Sequence, residues 1–123
     1  MLKNQKGFTL LEIIAVLVIL GILAAVATPK YFSLVDEAQK YAALSAIGEV
    51  KARANQYYAL KTLRNASAPT SADVMTSVTT APNVGPDFTV AAAASGSDIV
   101  ITVNSIKGAT ITPVIGTWTF PTE

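Results

Sequence analysis

The chain has 123 residues, which limits it to one small domain. It contains no cysteine and no histidine, so disulfide bridges are excluded and the commonest general base and metal ligand are missing. Nine basic and eight acidic residues give a formal net charge of +1, so no nucleic acid is expected as a partner. We therefore expect neither an enzyme nor a protein that needs a cofactor or a metal.

The first predicted element is an apolar helix. Residues 8–28 carry one charge, Glu12, with Lys3 and Lys6 before the run and Lys30 after it. At about 1.5 Å per residue the run reaches roughly 30 Å, the thickness of a bilayer core. A secretory signal peptide has a shorter apolar stretch. A plain membrane anchor accounts for the length, but it gives no reason for an acidic group whose burial in lipid is costly.

A third interpretation accounts for the whole segment. The string KGFTLLE at positions 6–12 resembles the prepilin cleavage and methylation motif of type IV pilins and the related pseudopilins. The resemblance continues through Gly21, residues 22–27 and Pro29, so it covers about 25 contiguous residues. Both the spacing of the motif residues and the apolar residues between them match. The rest of the chain matches the family only in its general plan.

The resemblance implies a role for each motif residue. A prepilin peptidase would cut between Gly7 and Phe8, removing residues 1–7 as a leader, and the new amine of Phe8 would be methylated. Glu12 lies one helical turn after Phe8, so its carboxylate can meet that amine in its own subunit or in a neighbour. The family favours the neighbour, and an unmatched charge in an apolar core would penalise wrong registers during assembly. Gly21 and Pro29 disfavour helix, and we expect the helix between them to loosen in the filament.

The segment 30–65 is predicted to be an amphipathic helix that continues the first. It contains one glycine, Gly48, and no proline, and its apolar residues recur at intervals of three and four. Asn65 lies where the helix is expected to end. Together the two halves form a helix of about 55 residues, too long for so small a domain to bury. Its tyrosines could stack into a continuous row of aromatic rings along a filament, but ordinary packing in the core and at interfaces explains them better.

The segment 66–123 is predicted to hold a loop and a small antiparallel sheet. Thr70 or Ser71 caps one short helical turn, and Pro69, Pro82 and Pro86 mark the loop. The alternation of side chains predicts strands at 87–92, at 98–103 and around 117–120, with a hairpin turn at 95–97. The inner face of the sheet should pack on the helix near four residues: Val50, Ala54, Tyr57 and Leu60.

The predicted fold class is therefore α+β. One long N-terminal helix, divided into the leader-proximal half at 8–29 and the amphipathic half at 30–65, packs against a sheet of about three strands. Pseudopilins often carry an acidic calcium loop, but the acids here are dispersed and a calcium site needs about six to eight oxygen ligands. Asp87 and Asp98 are expected to be turn residues instead.

The function implied by the resemblance is that of a filament subunit. The precursor would span the inner membrane once, in contact with lipid, and then polymerise into a helical homo-oligomer with the help of assembly-platform proteins and an ATPase. The alternative is a pseudopilin of a type II secretion system, which would stay in a periplasmic pseudopilus. Major and minor subunits are not distinguished. A role in cell adhesion through the threonine-rich loop at 66–86 stays open, with no target indicated.

Overall fold

The computed structural model describes residues 7–80 and 84–121. Helix α1 spans Leu10–Asn65 and helix α2 spans Ser71–Thr80. Strands β1 (Phe88–Ser95), β2 (Asp98–Ile106) and β3 (Ala109–Thr119) follow. The α+β prediction, a long N-terminal helix with a three-stranded antiparallel sheet, is confirmed. Most of the leader, with Lys3 and Lys6, and the loop residue Pro82 lie outside the described residues.

The chain divides into two units, Met1–Glu37 and Ala38–Glu123. From residue 7 to Glu37 only Val35 is even partly buried, and the large apolar side chains from Leu10 to Val26 are between 46% and 78% exposed. This part of α1 is long and apolar enough to cross a membrane, and no residue of its membrane-spanning length is buried. Among the described residues, therefore, nothing covers the most apolar segment of the chain, although its transfer out of water is strongly favourable.

The sheet is a meander in the order β1-β2-β3. Gly96 and Ser97 join β1 to β2, with Ser95 paired to Asp98, as the hairpin prediction required. Lys107 and Gly108 join β2 to β3, and both have positive φ, 50° and 77°. Positive φ at both central residues is the pattern of a type I′ turn, whose twist matches that of the flanking strands. This second turn was not predicted, because lysine is a poor marker for a left-handed backbone.

Alternation along the strands builds the core of the second unit. Ile99, Ile101 and Val103 of β2 are almost completely buried, whereas the intervening residues are only partly covered. In β1 the alternate residues Phe88, Val90 and Ala92 are each partly buried. The predicted third strand is longer than expected and also takes in the stretch from Ala109 to Gly116.

Helix α1 contributes small side chains to this core. Its buried residues recur at intervals of three and four: Ala43, Ala46, Ile47, Val50 and Ala54. Leu60 was predicted to pack with them, but it is 45% exposed. At 100° per residue Leu60 falls outside the arc of the helix that these buried residues occupy. The backbone of β3 comes close to the helix, since a Cβ added at Gly116 would overlap Cγ2 of Ile47.

The end of β3 is fastened to α1 without a disulfide. The indole Nε1 of Trp118 donates a 2.7 Å hydrogen bond to Oδ1 of Asn55. The ring of Phe120 packs edge-on against Trp118 and against Tyr58, with centroids 5.8 and 5.3 Å apart. Aromatic pairs of this geometry add about 0.5–1.5 kcal/mol each to the effect of burial. In this cysteine-free chain the cluster holds the last strand to the helix.

Helix α2 is a longer element than the single turn that was predicted. Thr70 is its N-cap, because its hydroxyl accepts the amide of Asp73 at 3.3 Å while the Asp73 carboxylate accepts the amide of Thr70 at 3.0 Å. Val74 and Val78 are buried in the core of the second unit. The capping box and this apolar pair extend the helix to ten residues.

Candidate assembly site at the start of helix α1

The candidate site begins with non-helical backbone. Gly7, Phe8 and Thr9 precede the first helical residue and are exposed, and the side chain of Phe8 is 86% exposed. A Cβ at Gly7 would meet nothing within 4 Å, so no contact in the described chain requires glycine there. A non-helical, uncovered peptide bond between Gly7 and Phe8 is accessible to a protease, and a glycine leaves its backbone unobstructed.

Glu12 has a partner within its own helix terminus that the prepilin motif does not imply. Its Oε2 accepts the backbone amide of Thr9 at 2.9 Å, and Thr9 Oγ1 accepts the backbone amide of Glu12 at 3.2 Å. The carbonyl of Thr9 accepts the amide of Ile13, which is the first bond of the helical ladder. Thr9 and Glu12 therefore form a capping box that satisfies two amides with no helical acceptor.

The signal for this cap was present in the sequence. A threonine followed three residues later by a glutamate, directly before an apolar run, marks a helix N-terminus. The resemblance to the prepilin motif gave Glu12 only the role of a partner for an amine. In the described structure Thr9 is the partner of its carboxylate, and Phe8 remains in peptide linkage to Gly7.

The two residues expected to weaken the helix lie inside it. α1 continues through Gly21 and Pro29, and a Cβ at Gly21 would meet nothing within 4 Å. Proline has no amide proton, so the carbonyl of Ala25 loses its helical donor. One residue earlier, Thr28 Oγ1 donates to the carbonyl of Ala24 at 2.8 Å, a bond that often bends helices. The predicted loosening concerns the filament and stays a prediction.

The predicted absence of a calcium loop concerns the second unit. Asp87 lies beside the start of β1, where its carbonyl accepts the amide of Lys107 at 2.6 Å, and Asp98 lies beside the end of β1. Within residues 7–80 and 84–121 no group of three or more acidic, histidine or cysteine side chains is placed to hold a metal ion.

The N-terminal segment of the chain matches a known sequence motif. Residues 2–28 match the family model described as the prokaryotic N-terminal methylation motif. Fimbrial protein EcpC of Eikenella corrodens is 45% identical over 62 residues, which are 50% of this chain and 40% of that protein. No solved structure gives a significant match.

Two further relatives extend the similarity beyond the motif. Type II secretion system core protein G of Klebsiella michiganensis is 34% identical over 85 residues, covering 69% of this chain and 57% of that protein. The type IV narrow pilus major component PilA5 of Thermus thermophilus is 36% identical over 67 residues, 54% of each chain. The chain thus spans about half the length of these relatives. Residues 2–28 thus carry the prokaryotic N-terminal methylation motif, and the chain is similar to two pilus proteins and to a type II secretion system protein.

Proposed function

We propose that this chain is a structural, non-enzymatic subunit of a type IV pilus-like filament. The observation that carries the proposal is the uncovered apolar half of α1 behind a methylation motif. Every buried apolar residue of the described chain lies between Ala43 and Trp118, so the segment before it needs lipid or other copies as cover. A precursor in the inner membrane and a filament at the cell surface supply these two environments in turn.

Processing would convert the precursor into the assembling form. A prepilin peptidase cuts the exposed bond between Gly7 and Phe8, and the Phe8 amine is then N-methylated. The cut removes Lys3 and Lys6, which favour a cytoplasmic N-terminus by the positive-inside rule. Assembly-platform proteins and an ATPase then move the helix from lipid into the filament.

The capping box gives Glu12 two successive partners in this scheme. In the membrane, where water is absent, the capping box of Thr9 and Glu12 satisfies the first amides of the helix. In the filament one carboxylate oxygen can keep the Thr9 amide while the other meets the cationic amine of Phe8 in a neighbouring copy. A charge pair in an apolar core is costly when unmatched, so it would select the register of assembly.

Gly21 and Pro29 would make the helix between them adaptable. The missing amide at Pro29 and the hydroxyl bond of Thr28 already weaken the ladder at its end. Loosening there would let the second unit find its position without disturbing the apolar bundle. Continuous α-helical density from Gly21 to Pro29 in a filament map would refute this part of the proposal.

The second candidate function is that of a pseudopilin in a type II secretion system. The match to core protein G of Klebsiella michiganensis covers more of this chain, 69%, than the matches to the two pilins, 50% and 54%. Deletion separates the candidates. Loss of surface pili with intact secretion supports the pilus subunit, whereas a secretion defect in cells that never bore such pili supports the pseudopilin.

Mass spectrometry of the mature N-terminus tests the processing. We expect a chain that begins at a methylated Phe8 in filaments or in the membrane fraction. An intact Met1, or an N-terminus near Ala27, would overturn the proposal.

Two variants separate the charge of Glu12 from its capping role. Glutamine also completes a capping box, so Glu12→Gln retains the cap and removes the charge. We expect Glu12→Gln to be cleaved normally but to form few filaments, and Thr9→Val, which keeps the charge and loses the hydroxyl, to assemble better than Glu12→Gln. Wild-type filament yield from Glu12→Gln would show that capping alone explains the residue.

A further inference from the structure

Two exposed aromatic side chains lie near the end of the first unit, and we call them the aromatic pair. Tyr31 and Phe32 are 65% and 62% exposed, and their rings pack edge-on against each other with centroids 6.2 Å apart. Neither ring belongs to the core of the second unit or packs against it. Packing within the described part of the chain therefore does not explain why two large rings stand here.

The sequence changes character at the aromatic pair. From Leu10 to Pro29 the helix carries one charge, Glu12, whereas Lys30 comes directly before the pair and two acidic residues follow it at 36–37. A lysine keeps its ammonium group in water while its apolar stem lies along a hydrophobic surface. The pair thus marks the boundary between a segment suited to lipid and one suited to water.

The distance along the helix agrees with the thickness of a membrane. α1 is helical from Leu10 onward, and the length from Leu10 to Tyr31 is about 32 Å at about 1.5 Å per residue. The hydrocarbon core of a bilayer is about 30 Å thick. A helix with Leu10 at one boundary of the hydrocarbon therefore brings the aromatic pair to the other boundary.

We propose that Tyr31 and Phe32 bind the lipid headgroup interface on the periplasmic side of the membrane and fix the depth of the precursor. This inference rests on the proposed function, because only a precursor that spans the membrane brings the pair to that interface. Tyrosine is favoured there, since its ring meets the lipid chains while its hydroxyl meets water. Phe32 enlarges the apolar surface beside that ring, and Lys30 adds a cationic contact to the headgroups.

Anchoring one end of a continuous helix also positions its other end. α1 runs without a break from Leu10 to the aromatic pair. A fixed depth at the pair therefore holds the bond between Gly7 and Phe8 at the cytoplasmic interface, where the peptidase of the proposed function must reach it. The pair acts on processing only by position, because it lies a membrane thickness away from that bond.

Labelling of single cysteines measures the depth, because the chain has no cysteine of its own. Ala27→Cys and Ser33→Cys, at exposed positions before and after the pair, are introduced one at a time into the full-length chain. The cells lack a prepilin peptidase, so every copy remains the uncut precursor. Spheroplasts are treated with a maleimide that does not cross membranes, and labelling is expressed as the fraction of thiol that reacts once detergent is added. We expect Ser33→Cys to react and Ala27→Cys to be protected.

Removing both rings should shift this boundary. In Tyr31→Ala with Phe32→Ala nothing holds Lys30 close to the hydrocarbon, so we expect the helix to move outward by about one turn and Ala27→Cys to react. Tyr31→Trp with Phe32→Trp keeps rings suited to the interface and should leave Ala27→Cys protected. Tyr41→Ala removes a tyrosine of similar exposure, 63%, from the second unit and should leave both cysteines as in the unchanged chain.

The outcomes distinguish the anchor from the proposed function. Protection of Ala27→Cys in the alanine pair overturns the anchor, and so does reaction of Ala27→Cys in the tryptophan pair or in Tyr41→Ala. Two protected or two reactive cysteines in an otherwise unchanged, membrane-bound chain also overturn it, because the boundary then does not lie at the rings. Recovery of that chain in the soluble fraction instead refutes the proposed function itself, since the helix would not span a membrane.

Discussion

At the scale of single residues, Ala66 ends α1 in an unfavourable conformation. Its φ is 53°, in the left-handed region that glycine adopts without steric cost. Its amide donates to the carbonyl of Thr62 at 3.1 Å, which is the bond of a left-handed helix cap. Asn65, which the sequence placed at the end of the helix, is its last residue.

Ala66→Gly should therefore stabilise the fold. Glycine removes the strain of the left-handed residue, and we expect the free energy of unfolding to rise by about 1 kcal/mol. Chemical denaturation of the full-length chain in detergent, followed by circular dichroism, measures the change. The control is Ala59→Gly in the exposed helix interior, which should lower the stability by about 1 kcal/mol. A loss of stability in both variants would contradict the assigned cap.

Glu12 shows how much of the candidate site the sequence could predict. The motif located Gly7, Phe8 and Glu12, and the structure places the first two in exposed, non-helical backbone. The bond between Glu12 and Thr9 follows from local spacing and was predictable in principle. The pair between Glu12 and the Phe8 amine stays a prediction, because it requires a cut chain and, in the family's version, a second copy.

At the scale of elements, α2 depends on its first turn. Most of its other hydroxyls bond to carbonyls one turn back, as Thr76 does to Ala72 and Thr79 to Met75, which adds little to helix stability. The hydroxyl and then the amide of Thr70 lower the pKa of Asp73 below its ordinary value, because both donate to the ionised carboxylate. The extra length of α2 over the prediction follows from this cap and from its apolar contacts.

Thr70→Ala should raise the pKa of Asp73 toward its ordinary value. A pKa lowered by folding means that the ionised carboxylate stabilises α2 above the unfolded pKa and that this contribution disappears as the pH falls through the folded pKa. NMR titration of the Asp73 carboxyl measures the shift. Thr79→Ala, whose hydroxyl bonds only to Met75 and Thr76 carbonyls, should leave that pKa unchanged. An unaltered pKa in Thr70→Ala would exclude the cap as its cause.

β3 passes so close to α1 that one position of the strand, Gly116, has no room for a side chain. Gly116→Ala would place a Cβ on Cγ2 of Ile47, so the strand or the helix must shift. We expect a loss of about 1–3 kcal/mol in the free energy of unfolding, typical of overpacking. In an Ile47→Ala background the same substitution should cost clearly less, because the overlapping atom is gone. Equal costs in both backgrounds would show that the two residues do not compete for space.

At the scale of the whole molecule, the sequence predicted the elements better than their extents. Alternation in β2 and the turn at Gly96 gave the hairpin, because both depend on neighbours in the chain. The length of β3 and the exposure of Leu60 depend on which distant segments pack together. Local patterns carry little information about such contacts.

The division into two units gives the last prediction. All the buried apolar residues of the described chain lie in the second unit, so a fragment of residues 38–123 retains its core, from Ala43 to Trp118. We expect this fragment to fold cooperatively without detergent and to sediment as a monomer. It lacks the apolar segment from Leu10 to Val26, whose large side chains are exposed. Circular dichroism melting and analytical ultracentrifugation measure both properties. A fragment that melts without cooperativity, or that sediments as a dimer, would contradict the independence of the second unit.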